Sequence, residues 1–573
     1  MTPYTVVLAT LVSSLSLVSA SRWQVPVNCS TPFTPITAAD FVQRLNPGWN
    51  LGNTLDAIPD EGSWNNAKVT PDVLATIKRA GFRSVRIPVT YADHYVLASP
   101  GWQINSTWLE RVRDVVDMAT DAGLLVVTNM HHDSWRWADV TQAGANQTEI
   151  DEKFAASWRQ IGRTLACAPS TVAFEPINEP PATTAEHGKR INDLNRLFLE
   201  ALVDGHNPRR VVTLVGGGED AVKTAEWFER PPTNTTNPWA IQFHYYSPYN
   251  FIFGAWGKTI WGSNEDKTAI VSDLSALHNN FTDVPLLIGE FSASPTNCEA
   301  SARWRYTDFL VRTARSLNTS VMLWDNGADN LDRTVGRWRD QTSVSLIVGA
   351  STTGVVNSLP GGTTDDSASS QWTSAYVFQR VGSPTTSQAL PYLFYGNNIT
   401  SIAGGNGTLS SQDYTTNSTH LLLSDTFLSR HFTPSAKAGS KANLTISFSG
   451  GAVPIPLQLV LWDTPTLGQT TSVANTSTGD LSIPVTYRGL PTVAAVRLTS
   501  LNGTGLVDTW TQYLGPLQQQ RATYSNQWNF DTGHVIITAD AVKTVVASGQ
   551  PAVFTFEFYP RTPGNAVNYT LAV

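Results

Sequence analysis

Eight short runs of β-branched and apolar residues recur between Gly48 and Trp324, and amphipathic stretches separate them. The runs are Gly48-Trp49-Asn50, Val85-Arg86-Ile87-Pro88, Leu125-Val126-Val127-Thr128-Asn129-Met130-His131, Val172-Ala173-Phe174-Glu175, Val211-Val212-Thr213-Leu214-Val215, Ile241-Gln242-Phe243-His244, Leu286-Leu287-Ile288-Gly289-Glu290 and Val321-Met322-Leu323-Trp324. Residues 71–80, 107–122, 149–165 and 187–203 carry apolar side chains at helical spacing. Units of about 31 residues predict an α/β fold, the (β/α)8 TIM barrel. A doubly wound open sheet is the alternative, but no glycine-rich phosphate motif follows any run.

Two of the runs lead into a glutamate. Asn178-Glu179-Pro180 follows the fourth run, and Gly289-Glu290-Phe291 ends the seventh. In a TIM barrel the functional side chains come from the carboxyl ends of the strands, so these two carboxyls are expected at the same mouth. A pair of carboxyls is what glycoside hydrolysis needs, one as acid and the other as base or nucleophile. A structural ion pair with arginine is the alternative for either glutamate taken alone.

The motifs at the strand ends resemble those of the retaining family 5 glycoside hydrolases, over about residues 35–380. In the order of that family they are Gly48-Trp49-Asn50-Leu51-Gly52-Asn53-Thr54-Leu55-Asp56, Arg86-Ile87-Pro88, Asn129-Met130-His131-His132-Asp133, Asn178-Glu179-Pro180, His244-Tyr245-Tyr246, Gly289-Glu290-Phe291 and Trp324. The first motif is most similar to the endoglucanase and xyloglucanase branch.

The resemblance implies that Glu179 is the acid/base and Glu290 the nucleophile, with Arg86 holding the nucleophile ionised. It also implies a set of substrate-binding residues around the carboxyls. Asn178 binds the sugar 2-hydroxyl, His244 and Tyr246 orient the carboxyls, Trp324 lies beneath the sugar, and Asn53, Asp56, His131 and His132 line its far side. Two further aromatic residues, Trp256 and Trp261, either build aglycone subsites or pack on the barrel.

No motif in the sequence indicates a cofactor. His131-His132-Asp133 suggests a metal site, but no third ligand follows at zinc-like spacing. Three cysteines allow at most one internal disulfide, whose pairing is open, and no nucleophile motif surrounds Cys298. We therefore expect neither a metal nor an organic cofactor.

The βα alternation stops after Trp324. Residues 367–380 are predicted to form a closing helix, and 382–390 a connector containing Gly, Ser, Pro and Thr. Strand-like alternation then covers 391–462 and, again, 463–573. We therefore expect a barrel over 21–381, a β-sandwich over 390–462 and a second all-β domain over 463–573.

Both later domains also resemble known modules. The strings Asn397-Asn398-Ile399-Thr400-Ser401-Ile402, Asp413-Tyr414-Thr415 and Ile446-Ser447-Phe448-Ser449-Gly450-Gly451 resemble the immunoglobulin-like module of some endoglucanases. Phe554-Thr555-Phe556-Glu557-Phe558 and Asn565-Ala566-Val567-Asn568-Tyr569-Thr570 are similar to the family 46 carbohydrate-binding module. The connector 382–390 is short, so we expect the last domain to help hold the polymer. Sugar stacking is expected if Trp510 or Trp528 lies exposed near the barrel mouth, and the alternative is that both are core. The alternative for both domains is a glycosylated spacer.

Composition limits partners and location. Charged residues make up 15% of the chain, the net charge is −8 and no basic run occurs, so nucleic acid is not an expected partner. An apolar stretch ending in Val18-Ser19-Ala20 predicts a secretory leader over residues 1–20, and Asn-X-Ser/Thr sequons recur from Asn28 to Asn568. No later segment is long and apolar enough to span a membrane. We expect a secreted, extracellular monomer.

Together these features predict a retaining endo-β-1,4-glucanase that hydrolyses internal bonds of β-glucans in polysaccharide catabolism. We expect the Glu179 and Glu290 carboxyls about 5–5.5 Å apart and a raised pKa at Glu179. Two alternatives stay open. The substrate is xyloglucan, mixed-linkage glucan or mannan with the same mechanism, or the chain is a catalytically silent polysaccharide-binding protein.

Overall fold

A computed structural model describes residues 27–405, 407–475, 477–506 and 512–573. The predicted leader, residues 1–20, and Trp510 lie outside the described residues. The chain divides into two compact units. The first comprises the described residues up to Tyr245 with Ala276–Glu290 and Asn318–Gly327, and the second comprises Tyr246–Ser275, Phe291–Leu317 and the described residues from Ala328.

Eight parallel strands close into a barrel in the order β1 to β8, which confirms the predicted (β/α)8 fold. The strands are β1 Gly48–Asn50, β2 Ser84–Ile87, β3 Leu125–Asn129, β4 Val172–Glu175, β5 Val212–Asp220, β6 Trp239–His244, β7 Leu286–Phe291 and β8 Thr319–Leu323. Gly48 pairs with both Ser84 and Met322, which closes the ring between β1 and β8. The polar residues that follow the apolar runs therefore share one mouth.

Helices separate the strands at nearly every crossover. They are α1 Ala38–Leu45, α2 Pro71–Ala80, α3 Ser106–Asp121, α4 Asp133–Arg136, α5 Gln147–Thr164, α6 Ala185–Asp204, α7 Ala221–Trp227, α8 Tyr249–Ile252, α9 Asn264–Asn280, α10 Ala300–Ser316 and α11 Gln341–Thr352. Several begin at a side-chain cap, as in α5, where Asn146 Oδ1 accepts the Glu149 amide hydrogen.

Helix α1 covers one end of the barrel. Phe41 and Leu45 are fully buried in a cluster with Val127, Leu287 and Met322. Burying each of these two side chains contributes about 1.5–3 kcal/mol. Because this cluster fills the amino-terminal end of the strands, the carboxyl end is left for the site.

The structure shows which of the three cysteines form the disulfide. Cys29 and Cys167 form a disulfide, and Cys298 is free and buried. Burial raises the pKa of the Cys298 thiol to about 12, so it is not a nucleophile near neutral pH.

The prediction of a closing helix over 367–380 is wrong. Tyr376–Arg380 is a strand, β12, which pairs in parallel with Ile455–Trp462, and the predicted connector overlaps a strand at Gln388–Leu393. Val377 and Gln379 are buried while their neighbours are less so, a period of two that marks a strand. The last helix before the β-rich part is α11, which packs against α10. The first β-domain therefore begins before the boundary expected at residue 381.

Two β-rich domains follow, as predicted. The strands after β8 are β9 Leu331–Asp332, β10 Arg337–Trp338, β11 Leu359–Pro360, β12 Tyr376–Arg380, β13 Gln388–Leu393, β14 Ile399–Gly404, β15 Gly407–Thr408, β16 Tyr414–Thr416, β17 His420–Leu423, β18 Gly439–Phe448, β19 Ile455–Trp462, β20 Thr466–Leu467, β21 Thr471–Val473, β22 Leu481–Thr486, β23 Val493–Ser500, β24 Arg521–Ala522, β25 Trp528–Phe530, β26 His534–Ile537, β27 Ala552–Phe558 and β28 Ala566–Ala572. Sheets β11-β13-β17-β16 and β12-β19-β18-β14-β15 form the first domain, and β20-β22-β26-β25 and β21-β28-β27-β23-β24 the second. The helices here are α12 Asp425–Ser429 and α13 Ala539–Ser548.

The last domain is fixed to the chain segment that follows β6. Arg561 Nη1 donates to the carbonyl of Gly257 at 2.7 Å and to the Thr259 hydroxyl at 3.1 Å. The Tyr524 amide donates to the carbonyl of Gly254 at 3.2 Å. These contacts all lie within the second unit, and they hold the domain against that segment rather than on a free tether.

Two of the aromatic predictions are decided by burial. Trp528 is 2% exposed in the core of the last domain, so of its two alternatives the core position is the one observed and it does not stack on a sugar. Trp261 is fully buried against Tyr306, which identifies it as core, whereas Trp256 is half-buried. Among the described residues, no helix has the length and apolar character needed to cross a bilayer.

Candidate active site

Arg86 of β2 donates hydrogen bonds to several side chains at the barrel mouth. The side chain is fully buried, and Nε and Nη2 each donate to Glu175 at 2.7 Å. Nη1 donates to Glu290 and, at 3.0 Å, to Asn50. Burial alone would lower the pKa of Arg86, but the carboxylates of Glu175 and Glu290 raise it well above its usual value. Arg86 is therefore a permanent cation between two carboxylates.

Glu175, at the end of β4, is a carboxylate that sequence reasoning did not assign. It accepts from Arg86, from Asn129 Nδ2 at 2.7 Å and from Gln242 Nε2 at 2.5 Å. Burial would raise the pKa of Glu175, but the charge and hydrogen bonds of Arg86 outweigh it and the pKa is lowered. Glu175 thus balances the Arg86 charge and fixes its orientation. The position of this carboxylate at the carboxyl end of a barrel strand is the sequence signal that could have identified it.

Glu290, on β7, is 5% exposed and lies between two cationic groups. Its Oε1 accepts from Arg86, and its Oε2 lies 3.6 Å from Nδ1 of His244. The ion pair with Arg86 agrees with the role that the resemblance implies for that arginine.

Glu179 differs from Glu290 in exposure and backbone. Its side chain is 44% exposed at the mouth, and its φ of +40° lies in the left-handed region. Partial desolvation would raise the pKa of Glu179, but the hydrogen bond and charge of His244, together with Arg86, lower it. The expected raised pKa is therefore contradicted, because a cation donates to this carboxylate and outweighs the repulsion of its neighbours.

His244 ends β6 among three carboxylates. Nδ1 lies 2.7 Å from Glu179 Oε1, and Nε2 lies 3.2 Å from Glu219 Oε2. Burial would lower the pKa of His244, but Glu219, Glu290 and Glu179 raise it to about 9. Near neutral pH the imidazole therefore carries the proton that Glu179 lacks.

The two predicted catalytic carboxyls come together at the mouth. One oxygen each of Glu179 and Glu290 and one nitrogen of His244 lie within 4.8 Å of one another. Asn178, 5% exposed, uses its Oδ1 to accept from Arg86 at 2.7 Å, which leaves the Nδ2 hydrogens as the donors for a ligand.

The residues expected on the far side of the sugar form a second group. Both oxygens of buried Asp56 accept backbone amide hydrogens, from Asn53 at 2.9 Å and Thr54 at 2.6 Å, so Asp56 shapes the loop after β1. His132 Nε2 lies 3.6 Å from Asp56 Oδ2. Burial, with the charges of His132, Arg86 and His244, lowers the pKa of His131 well below its usual value, so its imidazole is neutral.

Trp324 presents a half-buried indole next to this group. The ring is stacked parallel to His131, with centroids 5.9 Å apart and an interplanar angle of 5°. A Cβ at Gly52 would lie 2.6 Å from the indole Cη2, so only glycine leaves room for this ring position. The conformation of the first motif therefore sets the Trp324 surface.

Tyr246 begins the second unit, directly after Tyr245. The side chain is half-buried, and its ring centroid lies 5.7 Å from that of Phe253. Its expected role in orienting the carboxyls stays a prediction.

Within the part of the chain that the structure describes, two groups of donors have the composition of a metal site. They are Asp56, His131 and His132, and Glu179, His244 and Glu290. In the first group the Asp56 oxygens already accept two amide hydrogens, and in the second Glu290 is paired with Arg86. Neither donor set fits a prepared cation site, since the carboxylates are engaged by protein groups.

Sequence reasoning missed four side chains besides Glu175. Glu219 and Gln242 lie below Glu179, and Trp64 and Trp135 flank His132, with Trp135 Nε1 donating to His132 Nδ1 at 2.9 Å. Trp64 is 38% exposed and Trp135 59% exposed. The carboxyl ends of β5 and β6 and the loops after β1 and β3 were the places to look for them.

A closed βα barrel with paired carboxyls at its carboxyl-end mouth has the groups that a glycoside hydrolase needs. The cellulase model, glycosyl hydrolase family 5, matches residues 49–330, and the model for carbohydrate binding domain X2 matches 371–458. This chain belongs to glycosyl hydrolase family 5 and is an endoglucanase of the cellulase type.

Three relatives illustrate the match. Endoglucanase B of Paenibacillus lautus is 29% identical over 527 residues, 88% of this chain and 88% of that protein. Endoglucanase A of Ruminococcus albus is 30% identical over 316 residues, 51% of this chain and 84% of that protein. The solved tri-modular subfamily 4 endo-β-1,4-glucanase of Bacillus licheniformis, complexed with cellotetraose, is 29% identical, with a TM-score of 0.83 over 94% of this chain and 99% of that chain.

Proposed function

We propose that this endoglucanase cleaves internal β-1,4 bonds of β-glucans by double displacement, with Glu290 as nucleophile and Glu179 as acid/base. The observation that carries the proposal is the approach of the two carboxylates, with oxygens within 4.8 Å of each other at one barrel mouth. A nearest-oxygen distance within this bound is compatible with the about 5–5.5 Å carboxyl separation of retaining enzymes.

The environments of the two carboxyls support different roles. Glu290 is almost fully buried and paired with Arg86, which keeps it anionic for attack on the anomeric carbon. Glu179 is partly exposed and hydrogen-bonded to a cationic histidine. The proton shared along this hydrogen bond is the one that Glu179 delivers to the leaving oxygen. Glu179 then takes a proton from the water that cleaves the glycosyl ester.

The surrounding residues bind and orient the sugar. Trp324 offers an indole face beneath the ring, and Asn178 Nδ2 donates to the 2-hydroxyl, an interaction that strengthens in the transition state. Trp64 and Trp135 extend the aromatic surface beyond His132. A polymer that binds through several consecutive sugar units fits this arrangement better than a single sugar does.

Azide rescue tests the two assignments. Glu290→Ala should abolish hydrolysis of soluble β-glucan, and azide should restore cleavage of an activated aryl cellobioside, giving the inverted α-glycosyl azide. Glu179→Ala with azide should give the retained β-glycosyl azide. Exposed Glu265→Ala is the matched control and should behave as wild type. If azide fails to rescue Glu290→Ala while that variant remains folded, the assignment of the nucleophile is wrong.

We also propose secretion and a polymer-binding role for the β-domains. Sequon asparagines such as Asn318, Asn398 and Asn443 are exposed, as glycan attachment requires. The predicted family 46 likeness of the last domain remains a hypothesis. Amino-terminal sequencing of the mature protein should find Ser21 first, and a panel of purified glucans, xyloglucan and mannan should identify the preferred backbone.

A further inference from the structure

The end of β5 leaves the barrel ladder and returns beneath Glu179. Val215 pairs with Gln242, but the next pairing joins Asp220 to His244, so residues 216–219 bulge out of register. The bulge packs on the chain around the acid/base. The Gly218 amide donates to the carbonyl of Pro180 at 2.8 Å, and a Cβ at Gly217 would lie 2.7 Å from Cβ of Ala182.

The bulge directs Glu219 inward. Its side chain is fully buried, and its φ of +49° is left-handed, as is the φ of +40° at Glu179. Such conformations are disfavoured for residues with a Cβ, so both need support from surrounding contacts. Glu219 Oε2 supplies one by accepting the backbone amide hydrogen of Glu179 at 2.8 Å.

The same carboxyl also reaches Glu179 through a side chain. Glu219 Oε2 lies 3.2 Å from His244 Nε2, and His244 Nδ1 lies 2.7 Å from Glu179 Oε1. Gln242 Nε2 donates to Glu219 Oε1 at 3.2 Å and holds it in place. Glu219 thus supports both the main chain and the side chain of the acid/base.

We propose that Glu219 is a positioning residue for proton delivery, which acts through the Glu179 amide and through His244 to keep the acid/base oriented and supplied with its proton. The inference rests on the proposed acid/base role of Glu179. It assigns no contact with substrate to Glu219, which is buried below the mouth.

The charged groups around Glu219 favour retention of a proton in this cluster. Glu175 on β4, Arg86 on β2, His244 on β6 and Glu179 above it all face the carboxyl, and Glu290 faces the same histidine. Burial, opposed by the charge of His244 and assisted by Glu175, raises the pKa of Glu219 to about 8. The pKa of His244 is raised as well, to about 9, so this cluster retains a proton through neutral pH.

Leaving-group dependence tests the proposal. The Glu219→Gln variant keeps the shape of the side chain but can neither hold the cluster's proton nor ionise. Its kcat/KM on soluble β-glucan, whose leaving group needs protonation, should fall about 10- to 100-fold. Its kcat/KM on 2,4-dinitrophenyl cellobioside, whose leaving group does not, should stay within about threefold. The alkaline limb of the kcat/KM profile on glucan should move down by about 1 pH unit, because the variant lacks the carboxylate that, once ionised above about pH 8, helps His244 keep its proton.

Controls separate this inference from the proposed function. Asp220→Asn, which changes an exposed helix cap next to Glu219, should leave both substrates unaffected. Glu179→Gln should show the same leaving-group selectivity more strongly. If it does not, the acid/base assignment itself fails.

Suppose that Glu179→Gln shows the selectivity. If folded Glu219→Gln then loses activity equally on both substrates, or keeps full activity on both, the inference about Glu219 is overturned and the acid/base assignment stands. Should Glu219→Gln fail to fold, Glu219→Asp, which retracts the charged carboxyl by one methylene, must show the same selectivity. Equal losses on the two substrates in that variant would equally overturn the inference.

Discussion

His244 Nδ1 lies 2.7 Å from Oε1 of Glu179, so a buried, protonated imidazole donates a hydrogen bond to the exposed carboxylate at the barrel mouth. This contact explains why the pKa of Glu179 is lowered while that of His244 rises to about 9. The two groups therefore titrate as a pair rather than singly.

Stability should fall on the alkaline side of neutrality. A histidine with a raised folded-state pKa binds its proton more tightly in the native state, so its contribution is complete below about pH 6.5 and is lost as pH rises through about 9. The pKa of Glu219, raised to about 8, acts in the same direction. We expect the free energy of unfolding to fall by up to about 1.4 kcal/mol per pH unit for each proton between pH 7 and 9. Urea denaturation at several pH values measures this. The His244→Asn variant should show a flatter dependence, and an unchanged slope would contradict the ionisation described here.

Arg86→Lys should impair catalysis severely. Lysine cannot make the two parallel hydrogen bonds to Glu175 while also reaching Glu290 and Asn178. We expect kcat on soluble β-glucan to fall about 10²–10³-fold, the scale for losing a positioned donor. Arg111 of helix α3 also donates two hydrogen bonds to one carboxylate, that of Glu61, so Arg111→Lys is the matched control. A loss below tenfold in the Arg86 variant would show that charge alone suffices.

Trp135→Ala should weaken binding of longer substrates. The indole is 59% exposed beside His132, and a stacked sugar there is worth about 1 kcal/mol, or about fivefold in affinity. We expect KM to rise about fivefold for cellohexaose and little for an aryl cellobioside. Tyr395→Ala, an aromatic residue 58% exposed in the first β-domain, serves as the control. Equal effects on both substrates would place Trp135 outside the binding surface.

Arg561→Ala should destabilise the last domain. This side chain is 3% exposed, pairs with Glu557 and donates to the carbonyl of Gly257. Removing one partner of a buried ion pair costs about 3–5 kcal/mol. A lower midpoint of thermal unfolding and faster proteolysis after residue 462 should result, whereas exposed Arg209→Ala should change neither. With the domain loosened, activity on polymeric glucan should fall more than activity on an aryl cellobioside. A parallel loss on both would indicate a purely structural role.

Local sequence patterns determined the barrel and the positions of the two glutamates, because βα periodicity and strand-end residues are properties of short segments. The resemblance of the strand-end motifs to family 5 placed Arg86, Asn178, His131 and Trp324 among the candidate site residues. The local patterns failed at residues 367–380, where an apolar run was compatible with helix or strand until pairing with β19 selected the strand.

Only the tertiary structure decided which groups share a proton. Glu175, Glu219 and Gln242 are far apart in sequence, yet they converge under Glu179 because the barrel closes and β5 bulges. The pKa direction of Glu179 depends on that convergence, since a hydrogen bond from His244 reverses what burial and repulsion would do. Electrostatic interactions depend on distances between elements, and no periodicity along the chain encodes them.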